Sequence, residues 1–331
     1  MAASLSFTGF PGLARRRVPP RIRFRRSLTV AMALGIDLSL GEPPACMHPV
    51  VWLGRLIAEL ERHAPRTDRA RLLYGAASGG CVTGGCAAAG TLAERLAGTL
   101  PAGGRVVTSA WLLKTTFSLQ GLAGAAQSVR VALEREDIDA ARMALRSLVS
   151  RDVRTLSPAL LAAAATESVA ENAGDSLVGP LLFYGVAGLP GALAYRAANT
   201  FDSMWGYHGD YEFLGKAAAR LDDLANLLPA RVTGLLIVAA SGLCGHSTRA
   251  AWRGMWRDHA RTASPNAGWP MSAMAGALGV ELEKIDHYRL GSPGTHPTPQ
   301  SIEHAVRILR VVAAIVVAAC ILAGAARDAR G

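Results

Sequence analysis

Five stretches of the chain, at 72–93, 106–129, 177–194, 232–245 and 311–326, are so poor in charge that a membrane interior is the setting they fit best. In hydrocarbon every backbone N–H and C=O must be paired within the protein, which restricts the structures able to cross it. A run of roughly 20 apolar residues matches one helical crossing. Half of the residues are hydrophobic and only 18% are charged, against roughly 25% charged in a soluble domain. The expected fold is therefore all-α: a polytopic integral membrane helical bundle with about five spans and polar helical loops, in the cell (inner) membrane. Abundant Ala and Gly suit close helix packing, above all the small-residue pattern GAASGGCVTGGCAAAG within 72–93.

The net charge of +10 is assigned to basic loops beside spans. No basic soluble module is evident, so nucleic acid is not an expected partner. Cys46, Cys81, Cys86, Cys244 and Cys320 form no CxxC pair, which gives neither a disulfide framework nor a zinc site. Residues 1–27 hold many arginines and no acid. They read as a targeting segment or as an extension upstream of a start at Met32. The extension 1–31 is accordingly set outside the fold, and 32–331 is taken as one membrane-embedded domain.

A short apolar segment at 28–40 is followed by a turn at 42–49 and an amphipathic helix at 50–62. Lys114 lies deep in the 106–129 stretch, where it either snorkels or faces a polar site. Ser157-Pro158 supplies an N-cap and first turn for a helix running to Asp175. The 177–194 stretch contains Gly185, Gly188, Pro190 and Gly191 and should be kinked or discontinuous, which membranes tolerate where the break is buried or lines a cavity. Two polar regions, 196–227 and 246–300, are read as loops around the 228–245 segment. If that segment crosses, they lie on opposite faces; if they build one site, one segment is re-entrant.

The chemistry concentrates between Thr166 and Arg231. Glu167, Glu171 and Asp175 recur every four residues and fall near one helix face. Three like charges on a stripe repel unless a cation compensates them. Mg²⁺ suits such oxygens and shares its shell with phosphates; the bland alternative is a solvated acidic face. Arg196, Asn199 and Arg220 stand beside Asp202, Asp222 and Asp223. Arginine forks fit phosphate and carboxylate, or else close helix ends in a structural salt-bridge network. Asp222-Asp223-Leu-Ala-Asn226 mimics half of a prenyl-diphosphate signature, without a second copy. His48, before Pro49, is a proton shuttle or a helix-entry residue. The residues alone indicate a polytopic membrane protein with a polar site for anions and Mg²⁺.

Six blocks go further: His48-Pro-Val with Gly54-Arg-Leu-Ile; Leu113-Lys-Thr-Thr; Glu167-Ser-Val-Ala-Glu-Asn172 with Asp175; Tyr195-Arg-Ala-Ala-Asn-Thr-Phe-Asp-Ser-Met204 with Gly206; Ala219-Arg-Leu-Asp-Asp-Leu-Ala-Asn226 with Pro229-Ala-Arg231; and Ser264-Pro-Asn-Ala-Gly-Trp-Pro270 with Ala275-Gly-Ala-Leu-Gly279. In this order, over about residues 33–297, the chain resembles the adenosylcobinamide-phosphate synthases, membrane proteins of cobalamin biosynthesis. Met271 stands where the family usually has Glu, and Gln120 where Arg is common.

The resemblance implies a ligase: ATP-dependent amide formation between adenosylcobyric acid and (R)-1-aminopropan-2-yl phosphate, or free aminopropanol, with ATP and Mg²⁺ required. It implies catalytic roles among His48, Glu167, Glu171 and Asp202. Substrate or phosphate binding would fall to Lys114, Arg196, Asn199, Arg220, Asn266 and Trp269, and metal binding to Glu171, Asp175, Asp222 and Asp223. Other corrinoid-pathway enzymes are expected associates. The rival readings are a non-catalytic corrinoid transporter or scaffold subunit and, less well matched, a membrane phosphotransferase acting on lipid alcohols.

Overall fold

The computed structural model describes residues 20–328 apart from 207, 208 and 210, with side chains from 26 to 322. Among these the chain forms thirteen α-helices and one β-hairpin. The first six helices are α1 (Pro20–Leu40), α2 (Pro49–Arg62), α3 (Asp68–Gly98), α4 (Ala102–Lys114), α5 (Leu119–Glu134) and α6 (Ile138–Leu145). Then come α7 (Pro158–Ala173), a π-helical turn (Gly174–Val178), α8 (Gly179–Ala187), α9 (Leu189–Trp205) and α10 (Lys216–Leu243). The chain continues with α11 (Thr248–Asp258), α12 (Gly268–Leu278), strands β1 (Glu281–Lys284) and β2 (Tyr288–Gly291), and α13 (Pro299–Asp328). Residues 1–19 of the basic extension lie outside the described part. Its remainder opens α1, where Thr29 and Val30 are buried.

Helix α7 is the centre. Every residue from Leu161 to Ala170 is buried, and the helix packs on α5, α12, α13 and β1. Its alanine run lets those neighbours close in. The Ser157 hydroxyl accepts from Leu160 N at 3.4 Å, with Pro158 at the first helical position. Two of the α3 glycines work as the small-residue pattern implies, Gly75 and Gly90, whereas Gly79, Gly80, Gly84 and Gly85 have open space where a Cβ would stand. A methyl on Gly90 would sit 2.7 Å from the Pro190 backbone, and one on Gly75 would collide with the Leu214 carbonyl. Helix α9 can therefore lie directly against α3.

The expected bundle of about five spans is corrected in part. Among the described residues two helices are long and apolar enough to cross a membrane, Lys216–Leu243 in α10 and Pro299–Leu322 in α13. The 72–93 stretch is one unbroken helix, but so rich in glycine that its mean hydropathy stays below that of a span. The 106–129 stretch is two helices, broken after Lys114. There Thr115 and Thr116 turn their hydroxyls back onto the Leu112 and Leu113 carbonyls, each at 2.7 Å, and compete with the helix. The 177–194 stretch is discontinuous as expected, divided at Gly188, whose φ of 74° and ψ of −156° few other residues adopt.

The polar regions are not loops. Residues 196–205 and 216–227 are helical, because their polar side chains recur at helical spacing and pair along α9 and α10. The 246–300 region holds two helices and the hairpin, so the all-α expectation fails there. Glu281 pairs with Gly291 and Lys284 with Tyr288 across an antiparallel register. Leu282 and Leu290 face the core from opposite strands. Helix α11 folds back along α10: Thr248 lies against Gly242, and Met255 against Gly234.

Candidate functional site

Helices α7, α9, α10 and α12 meet around a cavity of about 390 Å³. Glu171 and the π-turn's Asp175 enter from one side, Asp202 from α9, Asp222, Asp223 and Asn226 from α10, and Ser264 and Asn266 from the segment before α12. Lys216 and Arg220 stand on its rim. Both polar regions of the sequence therefore build one site. Asn266 donates from Nδ2 to the Asp223 carbonyl at 2.7 Å, and Arg231 donates to Asn266 Oδ1 at 2.9 Å.

Only some of the carboxylates are held. Asp222 accepts from Asn226 Nδ2 at 2.9 Å and from Asn199 Nδ2 at 3.4 Å. Behind them Tyr195 donates to Asn226 Oδ1 at 2.6 Å, and Arg196 donates to Asn199 Oδ1 at 3.2 Å. Among the described residues Asp223 pairs only with the exposed Arg220, at 3.9 Å. Glu171, Asp175 and Asp202 make no side-chain hydrogen bond or ion pair among the described residues. Burial, reinforced by Asp222 and Asp223, pushes Asp202 up to about 7. Asp175 is raised by burial and then by Asp222 and Glu171. Glu171 is raised by burial, against the pull of Lys284 and with the push of Asp222. Such a site is short of positive charge.

Glu167, Lys114, His48 and Trp269, also expected in the site, lie apart from the cavity lining. Glu167, 5% exposed, turns to Arg151 at 3.0 Å, and burial lifts it to about 7. Lys114, 1% exposed, is clamped at 3.0 Å by both Asp37 and Glu42. Glu42 in turn meets His48 Nε2 at 3.0 Å, while His48 Nδ1 caps α2 by accepting from Val50 N at 3.2 Å. Burial opposes the ionised form of Glu42, but hydrogen bonds from Ser118 and Lys114 outweigh it and hold the carboxyl below its ordinary range. This cluster adjoins the cavity wall: Ser118 N donates to the carbonyl of Ser176 in the π-turn at 3.0 Å. Trp269 lies behind Asn266, under the Arg231 guanidinium at 5.0 Å.

Asp37, Glu42, Arg151, Tyr195 and Arg231 carry no role in the sequence reading. A signal existed for one of them: Asp37 in one apolar segment and Lys114 in another are complementary buried charges. Asn226, the last position of the Asp222-Asp223 signature, lies four residues after Asp222 on the same helix face and donates to it.

Among the described residues no three His, Cys, Asp or Glu side chains are arranged as a ready metal cage. The donor set nevertheless fits Mg²⁺, which keeps several waters and takes one or two carboxylates plus substrate phosphates. Free oxygens on Glu171 and Asp175, facing Asp222 and Asp223 across the cavity, are such donors.

The fold and site define a helical protein, with two span-length apolar helices, that gathers partnerless carboxylates opposite arginine and asparagine. The chain belongs to the CobD/Cbib protein family, which matches residues 30–315. It is 45% identical over 277 residues to cobalamin biosynthesis protein CobD of Dehalococcoides mccartyi, covering 83% of this chain and 90% of that one. It is 43% identical over 277 residues to the CobD protein of Geobacter metallireducens, covering 81% and 85%. Cobalamin biosynthesis protein CbiB of Salmonella typhimurium is 36% identical over 316 residues, 90% of this chain and 99% of the relative. No solved structure matches the chain.

Proposed function

We propose that the protein works in cobalamin biosynthesis as an amide-forming ligase. It would join a propionate of adenosylcobyric acid to the amine of (R)-1-aminopropan-2-yl phosphate, or of aminopropanol, with consumption of ATP. The observation that carries this is the cavity itself, where Glu171, Asp175 and Asp202 stand without partners while Lys216 and Arg220 edge the mouth. Carboxylates of this kind take an ammonium group and a Mg²⁺ ion, and the rim cations take phosphate. The relatives named as cobalamin biosynthesis proteins supply the pathway.

Amide formation needs the propionate oxygen made into a leaving group. Phosphoryl transfer from ATP to that oxygen gives an acyl phosphate; attack by the amine nitrogen then forms the C–N bond and expels phosphate. Bound Mg²⁺ would supply neutralisation of phosphoryl charge, held by Glu171 and Asp175 or by Asp222 and Asp223. Asp202 fits the general base that takes a proton from the substrate ammonium and so frees the nitrogen lone pair for attack, since burial brings its carboxyl to about 7. With Mg²⁺ on Asp222 and Asp223, Glu171, which shares the cavity, is left to bind the amine before attack. Arg196, through Asn199 and Asp222, orients the acidic wall. Lys114, Glu42 and His48 hold the α4–α5 corner that abuts the π-turn. Helices α10 and α13 are the parts that would lodge the protein in the cell membrane.

The test is product analysis by mass spectrometry on washed membranes given adenosylcobyric acid and ATP, with phosphorylated and free amine in competition. The expected product is the amide, dependent on ATP. Corrinoid binding without any amide product would instead indicate a transport or scaffold role.

A further inference from the structure

The cavity is too small for the large substrate of the proposed reaction. Its 390 Å³ lies near the lower end of the roughly 300–1,000 Å³ that holds a drug-sized ligand. A corrin macrocycle with its amide fringe exceeds that. One propionate arm can enter; the ring must rest on the surface beside the mouth.

That surface carries an unusual feature. Helix α11 buries Ala251, Gly254, Met255 and Asp258 against its neighbours and turns the opposite face outward. On that face Trp252 is 45% exposed and Trp256 50%. The rings form a chain: Trp252 meets Trp256 edge-on at 5.8 Å, and Trp256 meets the buried Trp269 edge-on at 5.1 Å. His259 lies on Trp269 at 4.0 Å. Through Arg231 and the buried Asn266 the chain connects to the cavity lining. Arg249 and Arg253 are exposed on the same face and make no hydrogen bond or ion pair among the described residues. By contrast, Arg257 and Arg261 are both spent on Asp258.

Two exposed tryptophans locked against a third are a rigid apolar platform of little entropic cost to order. Free arginines beside them donate to carbonyls and carboxylates. We infer that the outward face of α11, centred on Trp252 and Trp256, seats the corrin ring while the reacting arm enters the acidic cavity. This rests on the ligase reading above. A hydrocarbon environment fits the face poorly, because Arg249 and Arg253 would be buried with the tryptophans.

The full-length protein in nanodiscs is assayed with adenosylcobyric acid and aminopropanol phosphate varied separately. Trp256→Ala and Trp252→Ala should each raise KM for the corrinoid at least about fivefold, the lower end for loss of one stacked ring, with KM for the amine at the wild-type value. Trp256→Phe should restore most of the loss. Matching thermal unfolding of the variants keeps misfolding out of the comparison. If Trp256→Ala unfolds early, Trp252→Ala and Trp256→Phe decide. Wild-type corrinoid KM in both alanine variants overturns this inference and leaves the ligase reading intact. So does strong quenching of these tryptophans by brominated lipid with KM unchanged, which makes them a membrane belt. A wild-type protein without corrinoid turnover overturns both.

Discussion

Asp202, Glu171 and Asp175 share an electrostatic problem that decides how they behave. Each is withdrawn from water without a compensating donor, and each faces other carboxylates. Asp202 ordinarily titrates near 3.8 and here near 7. Below its unfolded value it is protonated in both states and does not affect folding. As pH rises from about 4 to about 7 the unfolded chain gives up the proton and the folded one keeps it, so stability falls across that window and the loss is complete above it. Asp202→Asn should flatten this fall in thermal unfolding at fixed ligand-free conditions. In the proposed reaction the ionised form is the useful one. Wild-type kcat/KM should climb through about pH 7, and the Asn variant should lose that limb together with roughly 100- to 10,000-fold of rate. A variant with the wild-type pH profile removes Asp202 as the base. The acidic stripe was readable at this scale, but not which way each member points. Steps of four residues drift about 40° round a helix. By Glu167 the stripe has turned toward Arg151, and only Glu171 and Asp175 face the cavity. The Asn199–Asp222–Asn226–Tyr195 wall joins two helices, and no spacing within either one reveals that.

The elements were most legible where punctuation was strongest. Ser157-Pro158 opens α7, and the Gly/Pro cluster divides α8 from α9. What escaped were breaks made by polar competition. Thr115 and Thr116 end α4 inside an apolar stretch because a buried lysine needs Asp37 and Glu42, and no hydropathy window registers that demand. The hairpin escaped because its strands are four residues each, with alternation too short to stand out. The α8–α9 break depends on one residue. Gly188 combines positive φ with a site where a Cβ would strike the Glu94 carboxylate, the group that accepts from Leu189 N at 2.8 Å and caps α9. Gly188→Ala should cost about 1–3 kcal/mol from backbone strain alone, read as a lower unfolding midpoint in detergent. Glu94→Gln, which keeps an acceptor for Leu189, should cost less. An unchanged midpoint for Gly188→Ala means the two helices join without that conformation.

At the scale of the molecule the sequence posed a conflict: two polar regions on either side of an apolar helix, and one site that needed both. The fold resolves it by return. Helix α10 leaves the cavity, and α11 runs back along it, Gly242 against Thr248 and Gly234 against Met255. The chain thus brings Asn266 to within 2.7 Å of the Asp223 carbonyl. The two sides of α10 in sequence are then one side in space, whether or not α10 crosses a bilayer. This makes a prediction that does not depend on activity. Lys216→Cys and Ala263→Cys, both at exposed positions on the cavity edge, are placed singly in a chain whose native cysteines are replaced. A membrane-impermeant thiol reagent is applied to right-side-out and to inverted vesicles. Both cysteines should be labelled from the same side and blocked from the other. Labelling from opposite sides would mean that α10 crosses without α11 returning. The carboxylates of α9 and α10 could then not share a cavity with Ser264 and Asn266, and the two polar regions would have to serve separate sites.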